Sequence, residues 1–127
     1  MNLSRFIVTA AASILVSAAI SNATTISECQ TDIANLKTDT EQAAITGRNA
    51  EKDRAGLIGK LDNAATALDK AKFCDATQKL NDFRTKVNLL VAAGAIDVTT
   101  GQQLLAGADA AIACIRDVAG QAGTSCP

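Results

Sequence analysis

The stretch Ala76–Leu90, ATQKLNDFRTKVNLL, decides the fold. Its apolar residues Ala76, Leu80, Phe83, Val87 and Leu90 step by four, three, four and three. A helix turns once in about 3.6 residues, so these side chains form one continuous seam made for packing on partner helices. Asp75 with Lys79, and Asp82 with Lys86, place acid before base one turn apart on the outer side. Each such pair adds only about 0.2–0.5 kcal/mol. The helix is expected from about Cys74 to Ala93, with Gly94 closing it.

Three more helices follow from the same signals. The first is expected over Ile26–Ala44, with Thr25 and Glu28 as a capping-box pair and Ile26, Cys29, Ile33, Leu36 and Ala43 on one face. Gly47 then lets the chain stop. The second is expected from Asn49 to about Lys70, with Leu57, Leu61, Ala64, Ala65 and Leu68 as its stripe. Its charged start, Glu51 to Arg54, reads as a solvated stretch, and Gly56 and Gly59 as places where another helix comes close. The fourth starts at Thr99 or Thr100, each with a Gln three residues on, and carries Leu104, Leu105, Ala108, Ile112, Ile115 and Val118 inward. Asp69 to Phe73 holds neither Gly nor Pro, so an unbroken helix from Asn49 to Ala93 satisfies local rules. A rod that long would bury little of its own stripe, whereas folding back hides both stripes against each other. The expectation is an all-α, up-down four-helix bundle.

Ahead of the first helix, Arg5, the apolar stretch Phe6–Ile20 and the small residues Ser21-Asn22-Ala23 have the order of a secretory signal. The expected division is a signal over 1–23 and one domain over 24–127, secreted or periplasmic, with no membrane span after cleavage. The expected mature part has eleven basic and thirteen acidic residues. That near-neutral balance implies neither a nucleic-acid partner nor an anionic membrane surface.

The four cysteines, Cys29, Cys74, Cys114 and Cys126, all lie in that part. An even number in a small exported domain reads as two disulfides. In an up-down bundle the first and third helices begin where the second and fourth end, so all four cysteines gather at one end. Three pairings are possible. The favoured one is Cys74–Cys114 with Cys29–Cys126, tying the third helix to the fourth and the tail to the first.

Chemistry is sparse. With no His at all, the usual general base and the usual zinc ligand are both missing. Ser27 and Ser125 are the only serines after the signal, neither in a nucleophile context. Glu28 and Asp32 lie a turn apart on one helix, whereas paired-carboxylate catalysis needs two groups facing each other across a cleft. No catalytic residue, metal site or cofactor is expected. The candidate contact residues are Phe73 at a turn, and Ile96 and Val98 in the apolar loop between the third and fourth helices. The alternative for that loop is that Ile96 and Val98 fold under and close the bundle.

With the helices placed, the stretch from about Ala55 to Ile115 resembles the FIMAH domain, a small helical appendage of secreted bacterial proteins. The matching residues are Leu57, Lys60-Leu61 and Ala64, then Ala76, Leu80-Asn81-Asp82-Phe83 and Val87. After the turn they are Gly94-Ala95-Ile96, Thr100, Leu104-Leu105 and Ala108. The first helix and the cysteines are additions to that pattern. The resemblance implies a noncatalytic accessory or interaction module and transfers no catalytic residue. A looser likeness, in cysteine count and bundle form, is to secreted four-helix inhibitors of the invertase and pectin-methylesterase inhibitor type. The expected partner is a protein or a cell-envelope component; the alternatives are an inhibitor of an enzyme and a structural, self-associating protein.

Overall fold

Four helices form where the apolar periodicities run: α1 (Ile26–Gln42), α2 (Ala50–Asp69), α3 (Phe73–Ala92) and α4 (Val98–Gln121). They are seen in a computed structural model that describes residues 23–126. The expected signal segment therefore lies outside the described residues, Ala23 excepted. Among the described residues there is no strand, and no helix is long and apolar enough to cross a membrane.

Each helix packs on two others: α1 on α2 and α4, and α3 on α2 and α4. The bundle is a closed square with α1 diagonal to α3. Leu57, Leu61, Ala64 and Leu68 of α2 meet Ala76, Leu80, Phe83 and Val87 of α3 in the core, all fully buried. α1 gives Cys29, Ile33 and Leu36, and α4 gives Leu104, Ala108, Ala111, Ile112 and Ile115. The four-three seam read from Ala76–Leu90 is thus the inner face of α3.

The helix starts show which sequence signals act. Thr25 Oγ1 accepts from the Glu28 N–H at 3.2 Å, as its place before Ile26 implies. α4 begins earlier than expected, at Val98. Its cap is neither threonine but Asp97, whose Oδ1 accepts from the Thr100 N–H at 2.9 Å. A carboxylate satisfies the free donor and also meets the positive end of the helix dipole.

The break between α2 and α3 comes without Gly or Pro. Ala71 adopts φ 56°, in the left-handed region. The Lys72 N–H then donates to the Ala67 carbonyl at 2.9 Å and the Ala71 N–H to Leu68 at 2.9 Å. This is the hydrogen-bond pattern that glycine normally supports at a helix end. A left-handed alanine costs roughly 1–2 kcal/mol, a cost offset by the paired stripes of α2 and α3. Gly94, at φ 79°, makes the equivalent turn after α3 without that cost.

The close helix approaches lie elsewhere than Gly56 and Gly59. A methyl group at either of those would meet nothing within 4 Å. Gly107 and Gly101 of α4 hold the tight contacts instead. A Cβ at Gly107 would stand 2.8 Å from Leu36 Cδ1 of α1, and one at Gly101 would overlap Val91 Cγ2 of α3.

The cysteines do gather at one end, but the favoured pairing is wrong. The bridges are Cys29–Cys114 and Cys74–Cys126, with Cα–Cα distances of 5.6 and 5.2 Å. The reason lies in the faces of α4. Asp109 reaches α3, where it pairs with Arg84 at 2.8 Å. Cys114 follows five residues later, ~140° around the helix at 3.6 residues per turn, and so faces away from α3. It lies with Ala110, Ala113 and Asp117 on the side turned to Glu28 and Asp32 of α1. Cys29 is the partner on that side. Gly123 then turns the tail back, leaving Cys126 to reach Cys74.

Candidate functional site

The two long grooves on opposite sides of the square carry opposite charge. In the α2–α3 groove, Lys52 and Lys60 of α2 and Lys86 of α3 line one end, with Asp53. Lys70, Lys72 and Lys79 line the other end, with Asp75. In the α1–α4 groove, Glu28, Asp32 and Asp117 stand at the disulfide end. Asp39 lies at the far end beside Gln42, Thr100 and Gln103. Among the described residues, no basic side chain lines either of these two ends.

The ion pairs leave this division in place. Lys37 of α1 meets Asp62 of α2 at 2.9 Å, Lys86 of α3 meets Asp53 of α2 at 3.2 Å, and Arg84 joins α3 to Asp109 of α4. Three of the four helix seams are so bridged. The α1–α4 seam has a disulfide instead. Lys37 has its pKa raised by the hydrogen bond its Nζ donates to Asp62 and by that carboxylate's charge. Asp97 is held below the ordinary carboxylate range by its hydrogen bonds from Thr100.

The expected contact residues do not come together on the surface. Ile96 is 1% exposed and Phe73 7% exposed. Ile96 closes the core beside Ile45, anchored where the Thr46 N–H donates to the Ala95 carbonyl at 2.9 Å. Phe73 opens α3 as a plug over the same core, at the disulfide end. Both are apolar side chains at chain reversals, and burying them there seals an end of the bundle. Only Val98 faces outward, at 62%, as does Leu89 at 61%.

The charged start of α2 is also not simply solvated. Arg54 reaches α1, where its Nη1 lies 2.9, 2.9 and 2.8 Å from the carbonyl oxygens of Thr40, Glu41 and Ala43. α1 has no basic residue in its own last turn. Arg54 supplies the positive charge and donors that its C-terminus lacks. Among the described residues, no group of three or more His, Cys, Asp or Glu side chains is placed to hold a metal ion. Glu28 and Asp32 share their groove with Asp117 of the neighbouring helix.

The lysine groove escaped the sequence reading because overall net charge hides it. From Arg48 through α3 the chain carries nine basic and six acidic residues. The remaining described residues carry two basic and seven acidic. Summing charge by helix pair would have exposed the asymmetry. Compared with protein-family models, with curated proteins and with solved structures, the chain finds no match.

Proposed function

We propose that this chain is exported and works outside the cytoplasm as a noncatalytic interaction module, binding a protein or cell-envelope partner through its charged grooves. The observation that carries this reading is the sidedness of charge on a stapled bundle. A body held by two disulfides presents its side chains in fixed places, which lowers the ordering cost of binding. Grooves of opposite sign steer partners and set orientation. The two bridges fit an oxidising compartment. The apolar stretch Phe6–Ile20, with Arg5 before it and Ala23 after, supports export. The residue pattern shared with the FIMAH domain points toward an accessory role.

The test is to express the full chain in an exporting host, recover the processed protein and measure its mass before and after reduction. Processing after Ala23, two bridges, and salt-sensitive association with the envelope fraction or with a purified protein are the expected results. A full-length chain retained with four free thiols would overturn the export reading. A processed, oxidised protein that associates with nothing at low ionic strength would overturn the binding reading.

A further inference from the structure

We infer that one occupant of these grooves is a second copy of this chain, the acidic α1–α4 groove of one molecule seating on the lysine-lined α2–α3 groove of the next. This rests on the reading of the chain as a binding module and names the partner.

Charge complementarity carries the inference. Glu28, Asp32, Asp39 and Asp117 form none of the ion pairs within the described residues. Nor do Lys52, Lys60, Lys70, Lys72 and Lys79. Both sets stand along helix seams of the same bundle, and so along surfaces of similar length. Three acids and three lysines occupy the disulfide ends of their respective grooves. Copies stacked with like ends together therefore bring Glu28, Asp32 and Asp117 against Lys70, Lys72 and Lys79, while Asp39 meets the end that carries Lys52, Lys60 and Lys86. Each end of the lysine groove holds three lysines and one aspartate, but Lys86 is paired with Asp53, whereas Lys70, Lys72 and Lys79 form no ion pair, which favours the like-ends register.

The arrangement also fixes the kind of assembly. The two grooves lie on opposite sides of the square, so a contact using one leaves the other free. Such heterologous contacts run on as a fibre or close as a ring. The whole chain has a formal net charge of only −1, so copies are not kept apart by long-range repulsion.

The experiment is sedimentation of the processed, oxidised protein over a range of concentrations, from roughly 0.01 M to roughly 1 M salt, where the screening length falls from about 30 to about 3 Å. The mass should rise with concentration at low salt, without a plateau at the dimer unless a ring closes, and return to that of the monomer at high salt. Two charge-reversed variants sharpen it. Lys70→Glu/Lys72→Glu/Lys79→Glu has two acidic grooves, and Glu28→Lys/Asp32→Lys/Asp117→Lys has two basic ones. Each alone should lose association, and mixing the two should restore it. If either fails to fold, Gln and Asn replacements at the same positions serve, each expected to lose association alone. A monomer at every concentration in low salt, or association indifferent to salt and to the swaps, would overturn self-stacking. Monomers that instead bind polyphosphate, and lose it only in the Lys→Glu variant, would overturn self-stacking while leaving the binding-module reading intact. Failure of both forms of binding would sink the two together.

Discussion

The two ends of the bundle are closed by opposite means. At one end lie the start of α1, the turn at Ala71 and the tail after α4, and there two disulfides join elements far apart in sequence. At the other end, no covalent bond crosses among the described residues. The α1–α2 and α3–α4 loops meet through the Thr46–Ala95 hydrogen bond, Ile45 and Ile96 plug the core, and Arg54 caps α1. The difference teaches where each device is effective. The covalent end holds the exposed tail after α4, residues 122–125, which the Cys74–Cys126 bridge ties back to α3. The other end holds two short loops, and packing with hydrogen bonds is enough to close it.

Breaking the covalent end should have the largest effect. Cys29→Ser/Cys114→Ser removes a bridge that spans 85 residues, and removing a native disulfide from a small domain costs roughly 2–5 kcal/mol. Denaturant unfolding of the variant against the parent under non-oxidising and non-reducing conditions reads this loss directly. Mild reduction of the parent sharpens the comparison. Amide exchange should rise first in the opening turn of α1 and the last turns of α4, while the Thr46 amide stays protected. An even rise along the chain would show that the ends are not separate units.

Next comes the non-covalent end. Arg54→Met keeps the aliphatic stem and removes the donors, so the α1 carbonyls lose a charged partner worth about 1.5–3 kcal/mol. The lowered denaturant midpoint should come with faster exchange around residues 40–47. No change in midpoint would mean that water caps α1 equally well.

A gain is expected from Ala71→Gly. It relieves a left-handed alanine worth roughly 1–2 kcal/mol and adds part of glycine's own entropic cost, roughly 0.5–1 kcal/mol. The net is a stabilisation of roughly 0–1.5 kcal/mol, seen as a higher unfolding midpoint. A loss instead would show that Ala71's methyl group contributes to packing.

The smallest effect concerns pH. Asp97 has a lowered pKa in the folded chain, so its contribution is complete above the ordinary carboxylate range and is lost as pH falls through the lowered value. Asp97→Asn should flatten that acid limb of the stability profile while leaving the plateau nearly unchanged, because Asn also caps well. An unaltered acid limb would assign it to other carboxylates.

These contrasts mark how much was legible beforehand. The helices, the inner faces of α2 and α3 and the gathering of the cysteines followed from periodicity, because a helix's buried stripe is written at fixed spacing. The disulfide pairing did not follow. It depends on which flank of α4 bears Cys114, and an angle of that kind emerges only once Asp109 is known to face α3. The break between Lys70 and Cys74 was expected only because two stripes must fold onto each other, and it falls there; what had no local signal is the left-handed alanine at Ala71 that makes it. Two of the three contact residues were misplaced for a related reason: apolar residues at chain reversals spell either a plug or a patch, and for Phe73 and Ile96 the core takes precedence, while Val98 stays exposed. The grooves were present in the sequence all along, but only as a sum taken helix by helix.

One consequence of the observed pairing concerns how the chain matures. The bridges interleave: Cys74 lies inside the span of Cys29–Cys114, and its partner Cys126 lies outside it. A chain threaded N-terminus first into an oxidising compartment presents Cys29 and Cys74 before either correct partner has arrived. The earliest bridge available to it is therefore non-native, and only thiol–disulfide exchange can undo it. If the chain is exported as proposed and Cys29 pairs with Cys74 on the way, its maturation requires a compartment that reshuffles disulfides and does not merely form them.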